Sequence, residues 1–356
     1  MKKIALVLLV GLVLAAALAG AAAYVIYGRV DEPFKGYADE AQMVDIPPGL
    51  GSRAIGDLLA DAGVVRDALT FRVALWATGE SRRLQAGEYR FERPMSPRDV
   101  VGKLVRGEVD LVRITFREGL TIAEMAAIFA AQGLGTAEAF TAAAQDVSLI
   151  GELDPAASDL EGYLFPETYA LSRRADAAQL VRAMVERFRR VLTPELRDAA
   201  VSRGYTIRQL VTLASIVEKE TGAAEERPLV AAVYTNRLEV GMGLQCDPTV
   251  IYALQRAGRF DGNLRRDDLA FDSPYNTYKY AGLPPGPIAA PGRASLQAAA
   301  NPADAPYLYF VSRNDGTHAF SSTLDEHNRN VHRYQVQYFR DKRAEERRVQ
   351  QEGAGR

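Results

Sequence analysis

Two stretches of the chain, 70 residues apart, share one pattern of hydrophobic and polar positions. Each begins with alternating apolar residues, turns at a Gly-Leu pair, and continues with apolar residues at helical spacing until a glycine ends the pattern. The stretches cover residues 43–64 and 112–134, and Gly49 aligns with Gly119. A constant offset with a matching pattern is typical of an internal duplication. We therefore predict the same path of strand, turn and helix in both stretches.

The region between the two stretches predicts one more strand and one more helix. Residues 85–91 read as a strand, and residues 96–105 read as a capped helix with a proline near its start. Residues 43–107 are therefore expected to form a small α+β module. Such a module offers either a shallow groove for a carbohydrate chain or a spacer that sets the distance from a membrane.

The N-terminus predicts a membrane anchor. Lys2 and Lys3 precede an uncharged, apolar stretch over residues 4–27, which at about 1.5 Å per residue would span a hydrocarbon core of roughly 30 Å. The two lysines are expected to stay in the cytoplasm, so the rest of the chain would cross the membrane. The alternative is a cleaved signal peptide, for which Ala17-Leu18-Ala19 offers only a weak processing site.

The segment from Thr206 to Thr221 predicts an amphipathic helix that ends in acidic residues. Thr206 and Gln209 have the spacing of a capping box ahead of a buried apolar stripe. At about 100° per residue, Glu218 and Glu220 fall on opposite shoulders of that stripe. A shoulder carboxylate can be partly desolvated, which favours its protonated form and suits a general acid. The alternative is a solvated, charged helix end, and the helix pattern alone does not choose between them.

Composition excludes several classes of function. The formal net charge of −2 gives no reason to expect nucleic acid as a partner. Cys246 is the only cysteine, so no disulfide can form within the chain. The three histidines, His318, His327 and His332, lack the spacing and the companion thiols of a zinc site. No phosphate-binding glycine loop or G-x-S-x-G motif occurs. We therefore expect neither a metal nor a cofactor.

The loops between residues 110 and 335 carry tyrosine, asparagine and carboxylate side chains. Sugars present hydroxyls at their edges and C–H groups on their faces, so a glycan groove needs polar groups beside flat aromatic rings. The same residue types are also ordinary in turns. Their occurrence next to the acidic helix end nevertheless favours a carbohydrate-active site over a scaffold.

Four motifs in this region occur in a characteristic order and spacing. They cover residues 160–169, 213–221, 244–252 and 275–278. Together they resemble the endolytic murein transglycosylases, the MltG or YceG-like family, and the similarity extends from the apolar N-terminus to about residue 335. One departure is Cys246, where a small polar residue would be expected.

The resemblance implies a LysM-like subdomain ahead of a catalytic domain, and it assigns the catalytic glutamate to Glu218 instead of Glu220. It implies non-hydrolytic cleavage of the β-1,4 bond between N-acetylmuramic acid and N-acetylglucosamine, which leaves a 1,6-anhydro end. Glu218 would act first as general acid and then as base. The implied partners are glycan strands of peptidoglycan and cell-wall synthases, the penicillin-binding proteins. The remaining candidate site residues are Gln245, Asp247, Asn276 and Tyr278 for substrate positioning, with Glu161 and Glu167 in support.

The sequence therefore predicts an α+β protein with an N-terminal transmembrane helix, a small LysM-like α+β subdomain and a mixed α+β catalytic domain. The expected segments are 1–29 (cytoplasmic tip and anchor), 30–42 (linker), 43–107 (LysM-like), 108–338 (catalytic) and 339–356 (charged tail). The expected location is the bacterial inner membrane, with the catalytic domain in the periplasm. The alternatives are a lysozyme-like muramidase that uses water and a membrane-anchored peptidoglycan-binding adaptor without activity.

Overall fold

The computed structural model describes residues 2–173 and 175–354, which form a mixed α+β fold with short sheets, as predicted. The elements up to residue 143 are α1 (Lys2–Gly28), β1 (Gln42–Ile46), α2 (Ser52–Asp61), α3 (Ala68–Thr78), β2 (Gly87–Phe91), α4 (Pro97–Arg106), β3 (Leu111–Thr115), α5 (Ile122–Ala131) and α6 (Ala137–Ala143). They are followed by β4 (Thr168–Ser172), α7 (Ala177–Val191), α8 (Pro194–Ser202), α9 (Ile207–Glu220), α10 (Arg227–Glu239), α11 (Asp247–Arg256), α12 (Arg293–Ala300), β5 (Tyr309–Ser312), β6 (His318–Ser321), α13 (Leu324–Val331) and α14 (Tyr338–Ala354).

The chain divides into two compact units, 1–113 with 170–174 and 114–169 with 175–356. In the first unit β1 pairs antiparallel with β2, and the buried side chains of Leu59, Phe71 and Tyr89 belong to its core. Helix α4 begins as predicted, because the Ser96 hydroxyl accepts a hydrogen bond from the Asp99 N–H at 3.1 Å and a proline follows the cap.

The duplicated pattern is confirmed as a repeated strand, turn and helix. Helix α5 begins and ends 70 residues after α2. The turn glycines Gly49 and Gly119 have φ of 79° and 78°, and Gly63 and Gly133, which follow the helices, have φ of 69° and 70°. Left-handed φ values of this kind favour glycine. The second copy lies in the second unit from Ile114 onward, where its turn approaches the end of α9.

Helix α9 is the central element of the second unit. The predicted capping box is present, with Thr206 and Gln209 exchanging hydrogen bonds at the N-terminus. All residues from Leu210 to Val217 are buried, and α9 packs against α10 and α12. Burial of more than two turns of helix on several sides fixes the axis of α9, and therefore also fixes the direction of the acidic residues at its end.

The C-terminal region contains an antiparallel strand pair. Strand β5 pairs antiparallel with β6, and Tyr309 lies opposite Ser321. The connecting turn uses Asn314 with φ of 64° and Gly316 with φ of 88°. Helix α14 carries most of the predicted charged tail, whose last two residues lie outside the described part of the chain.

The segment predicted as a linker, residues 30–42, is folded against the first unit. Val30 is buried, Phe34 forms an antiparallel bridge with Met95, and the Gly36 N–H donates to the Gly63 carbonyl at 2.8 Å. Helix α1 covers most of the predicted anchor. Within the part of the chain that the structure describes, no helix combines the length and apolar character that a membrane span requires.

Candidate active site

Glu218 lies in the last turn of α9, with only 6% of its side chain exposed. One carboxylate oxygen, Oε2, accepts a hydrogen bond from the Gly292 N–H at 2.9 Å. The other, Oε1, accepts from Arg227 Nη2 at 3.4 Å. A backbone donor and a guanidinium on different oxygens leave the carboxylate little freedom to rotate. The side chain is therefore both sheltered from water and fixed in direction.

Backbone contacts from two other segments build the surroundings of Glu218. The Gly119 N–H donates to the Ala290 carbonyl at 2.8 Å, and the Ala290 N–H donates to the Leu120 carbonyl at 2.8 Å. The Ser215 hydroxyl of α9 accepts from the Ile288 N–H at 3.0 Å. The segment that ends at Gly292 is thereby tied both to α9 and to the turn of the second repeat.

A second carboxylate, Glu118, lies beside Glu218. Its Oε2 is 3.8 Å from Arg227 Nη2, the same nitrogen that contacts Glu218. Desolvation raises the pKa of the Glu118 carboxyl, and the negative charge of Glu218 raises it further, while Arg227 acts in the opposite direction. About half of the side chain, 46%, is exposed. Glu118 was not among the residues predicted for the site, because a charged residue before a turn glycine is ordinary.

The structure brings three of the predicted site residues, Gln245, Asp247 and Tyr278, together around a cavity of about 290 Å³. The Tyr278 hydroxyl donates to Asp247 Oδ1 at 2.6 Å, and the Gln245 backbone has the left-handed φ of 50°. Glu220, Tyr234, Arg237 and His327 contribute to the same wall. The cavity combines amide, carboxylate, guanidinium and aromatic groups, which is the mixture that a sugar ring requires.

Glu220 faces this cavity and has partners entirely different from those of Glu218. The Cys246 thiol donates to Glu220 Oε1 at 3.1 Å. Burial is the main cause that raises the pKa of the Glu220 carboxyl, and the nearby charge of Asp247 adds to it. The two glutamates at the end of α9 therefore lie in separate environments, in agreement with their opposite shoulders on the helix.

Asn276 is fully buried and holds the loop that carries Tyr278. Its Nδ2 donates to the carbonyls of Leu269 at 3.0 Å and Phe271 at 2.7 Å, and its Oδ1 accepts from the Tyr278 N–H at 2.9 Å. These three bonds occupy the side-chain amide. Asn276 therefore positions the loop from within and does not reach the cavity.

Glu161 and Glu167 lie apart from the Glu218 contacts. Glu161 lines another cavity, of about 400 Å³, where it accepts hydrogen bonds from the Ile122 N–H at 3.1 Å and the Tyr252 hydroxyl at 3.2 Å. Glu167 forms an ion pair with Arg187. Both contacts stabilise connections within the second unit, and neither brings a carboxylate to Glu218.

Glu161 predicts a pH dependence of stability. Burial, followed by the charge of Asp159, raises the pKa of Glu161 from 4.5 to about 8. Between these values the folded state holds a proton that the unfolded state has released, so stability falls as pH rises, by up to about 1.4 kcal/mol per pH unit. Glu161→Gln, which resembles the protonated form, should remove this fall. The free energy of unfolding should be measured with denaturant at both ends of this pH interval.

The exposed Glu138 on α6 provides the control for this experiment. The Glu138→Gln variant should follow the pH dependence of the unsubstituted protein. If Glu161→Gln and Glu138→Gln behaved alike, the folded protein would not hold a proton on Glu161 in this pH interval.

No group of three or more His, Cys, Asp or Glu side chains placed to hold a metal ion occurs in residues 2–173 and 175–354.

The chain is similar to a known protein family and to several of its members. The sequence model of the YceG-like family matches residues 44–333. The endolytic murein transglycosylase of Bacillus subtilis is 32% identical over 329 residues, which cover 87% of this chain and 89% of that protein. The endolytic murein transglycosylase of Streptococcus pneumoniae is 32% identical over 324 residues, which cover 81% of this chain but only 57% of the streptococcal protein. The crystal structure of a YceG-like protein from Listeria monocytogenes, 31% identical, covers 82% of this chain and 99% of that one, with a TM-score of 0.56.

Proposed function

Because the chain belongs to the YceG-like family and is a peptidoglycan lytic transglycosylase, we propose that Glu218 is its catalytic acid and base. The bond that it cleaves is the β-1,4 bond from N-acetylmuramic acid to N-acetylglucosamine within nascent glycan strands. The observation that carries this proposal is the geometry of Glu218, whose side chain is 6% exposed and whose carboxylate is held by Gly292 and Arg227. A general acid needs this combination of limited solvation and fixed direction.

In the proposed mechanism one carboxyl group completes the reaction. Protonated Glu218 gives its proton to the glycosidic oxygen as the bond from that oxygen to the anomeric carbon breaks. The resulting carboxylate then takes the proton of the C6 hydroxyl of the same muramic residue while that oxygen bonds to the anomeric carbon. The products are a 1,6-anhydro end and a free hydroxyl on the leaving sugar, and Glu218 regains its proton. Since water is not a reactant, the second carboxylate of a hydrolase is not required.

The chemistry of the product ends tests this proposal. Purified sacculi or nascent glycan, digested with the full chain in detergent, should release strands whose new muramic ends are 1,6-anhydro by mass spectrometry. Reducing muramic ends would identify a lysozyme-like muramidase. Binding without any new ends would identify the adaptor. Endolytic cleavage further predicts internal fragments of several lengths, and release of disaccharides from one end alone would argue against it.

We also propose that the cavity around Gln245, Asp247 and Tyr278 binds part of the glycan strand. Tyr278→Phe removes the hydroxyl that donates to Asp247 at 2.6 Å. The variant can neither hold Asp247 through this bond nor offer the hydroxyl to a sugar, so we expect KM to rise on the order of tenfold with kcat little changed. Both KM and kcat of this variant should be measured on a defined glycan.

Tyr280→Phe is the matched control for the cavity. The Tyr280 hydroxyl also donates to an aspartate, Asp272, at 2.9 Å, but Tyr280 is exposed and does not line the cavity. Its KM should remain close to that of the unsubstituted protein. Equal effects of the two substitutions would remove the support for a glycan site at Tyr278.

The cellular setting is proposed from the N-terminal sequence and the family. Residues 4–27 would anchor the chain in the inner membrane, with the catalytic unit in the periplasm, beside the synthases that polymerise the strands it terminates. Residues 43–107 would act as a LysM-like module, and their order of strand, two helices and paired strand supports that comparison. Recovery of a mature soluble protein beginning near Gly20 would contradict the anchor.

A further inference from the structure

We propose that the cavity of about 400 Å³ around Glu161, called here the Glu161 cavity, binds the peptide stem that the muramic residues of peptidoglycan carry. The inference rests on the proposed function, because it assigns a second part of the same substrate to this cavity. Three observations carry it: the side chains that line the cavity, the distance of its wall from Glu218, and its place at the far end of α11 from the cavity proposed for the sugars.

The Glu161 cavity combines unoccupied amide groups with small apolar side chains. Gln145 and Gln255 line it and are exposed, and neither side-chain amide has a hydrogen-bond partner among the residues that the structure describes. Ala123 and Ala144 leave room beside them. An amide both donates and accepts, so it suits the peptide groups of a ligand, and small apolar side chains suit the methyl groups of its alanines. A volume of about 400 Å³ lies within the range of ligand pockets, roughly 300–1,000 Å³.

Arg256 supplies a cation at the rim of the Glu161 cavity. Its Nη1 donates to the Tyr252 hydroxyl at 3.1 Å and lies 3.6 Å from Asp159 Oδ2. About half of its side chain, 48%, is exposed. A guanidinium carries several N–H groups in a planar fork, so those not directed at Tyr252 can donate to a ligand carboxylate.

The acidic groups of the cavity match the positive part of a stem. Asp159 and Glu124 are the carboxylates of the lining beside Glu161. Burial, the main cause, raises the pKa of Glu161 to about 8, so its carboxyl adds little negative charge near neutral pH. The cavity therefore presents both signs of charge. A peptidoglycan stem also carries both, because it has free carboxylates and commonly a free amino group.

The wall of the Glu161 cavity lies within reach of a stem whose sugar is at Glu218. An added Cβ on Gly119 would lie 3.7 Å from Glu218 Cγ. Ile122, three residues later, lines the cavity and donates its N–H to Glu161. Three residues span at most about 11 Å, and an extended tetrapeptide spans up to about 14 Å. A stem that starts on the muramic residue at Glu218 can therefore enter the cavity.

Helix α11 connects the Glu161 cavity with the cavity proposed for the sugars. The helix begins at Asp247, which lines the sugar cavity, and ends at Arg256, which lines the Glu161 cavity. At about 1.5 Å per residue these ends are roughly 14 Å apart. The two sets of lining residues have no member in common within the described part of the chain. The glycan strand and its peptide branch would thus have separate places on one rigid helix.

The test compares two substrates that differ only in the stem. Uncrosslinked strands with stems, and the same strands after an amidase has removed the stems, are each digested with the full chain in detergent. All new muramic ends are counted, whether anhydro or reducing, so that the result does not depend on the type of cleavage. We expect kcat/KM to be about tenfold or more higher on the strands with stems, an effect within the range of hydrogen bonds between charged groups.

Ala123→Leu fills the Glu161 cavity without removing a polar contact. Ala123 is exposed on α5 and leucine is a good helix former, so thermal unfolding should match that of the unsubstituted protein. The ratio of kcat/KM between the two substrates should fall to near one. Ala139→Leu is the matched control, because Ala139 is also an exposed helical alanine, on α6, but does not line the cavity. Its ratio should stay that of the unsubstituted protein.

Arg256→Gln tests the charge. The ratio should fall about tenfold, and Arg256→Lys, which keeps the charge without the planar fork, should give an intermediate ratio. Arg259→Gln is the control, because Arg259 is exposed, lies over the Phe271 ring at 5.0 Å and does not line the cavity. It should leave the ratio unchanged.

The outcomes separate this inference from the proposed function. Equal cleavage of both substrates by the unsubstituted protein would overturn the inference, and so would a preference that either Ala123→Leu or Arg256→Gln retains in full. Losses of equal size on both substrates would assign the cavity to the sugar chain or to stability instead of the stem. The role of Glu218 does not depend on any of these results and fails only if Glu218→Gln retains turnover.

Discussion

Glu218→Gln is expected to abolish cleavage of glycan strands while leaving the fold and glycan binding nearly intact. The amide has the size of the carboxyl group and can still accept the hydrogen bond from the Gly292 N–H, but it can neither deliver nor accept the proton. Loss of a general acid or base typically costs about 10²–10⁴-fold, and more when one group does both. Turnover and binding should be measured on the same glycan.

Glu220→Gln is the matched control on the same helix turn. Burial raises the pKa of the Glu220 carboxyl and favours its protonated form, which an amide resembles in shape and charge. We therefore expect a loss of less than about tenfold. An inactive Glu220 variant beside an active Glu218 variant would reverse the assignment. If both variants were active, Glu118 would be the next candidate for the acid, ahead of Glu161 and Glu167, because only Glu118 shares Arg227 with Glu218.

Local sequence patterns predicted the elements that depend on neighbouring residues. The capping box of Thr206 and Gln209 and the early proline of α4 are both set by residues within a few positions of one another. The constant offset of the repeats could also be predicted from the sequence, because glycines mark it. The structure shows that these glycines have left-handed φ. Helical periodicity also separated Glu218 from Glu220, although it could not say which of the two environments each would enter.

Contacts between distant segments could not be predicted from local sequence patterns. Glu118, Arg227 and Gly292 come from three separate parts of the chain, and none of them belongs to a local pattern that indicates chemistry. The polarity of a loop likewise does not show where its side chains point. Asn276 and Tyr278 are two positions apart, yet the first is buried in backbone contacts and the second lines a cavity.

A large decrease in the free energy of unfolding is expected from Gly162→Ala, in the motif of residues 160–169. Gly162 has φ of 83°, which costs a residue with a side chain about 1–2 kcal/mol. An added Cβ would also lie 2.4 Å from Pro287 Cβ and 2.9 Å from Val211 Cγ1. Neither neighbour is the end of a flexible side chain, so relief requires movement of α9 or of the segment that ends at Gly292. Such overpacking costs about 1–3 kcal/mol more.

We therefore expect Gly162→Ala to lower the free energy of unfolding of the catalytic unit by about 3 kcal/mol or more and to reduce activity in the protein that still folds. Gly151→Ala is the control, since its φ is not left-handed and an added Cβ would meet its nearest atoms at 3.9 Å. Denaturant unfolding and anhydro-end release should be measured on both variants. A fully stable and active Gly162→Ala would mean that the chain from Pro287 to Gly292 can shift without displacing the N–H that holds Glu218. In that case the close packing around Gly162 would not be what positions the Glu218 carboxylate.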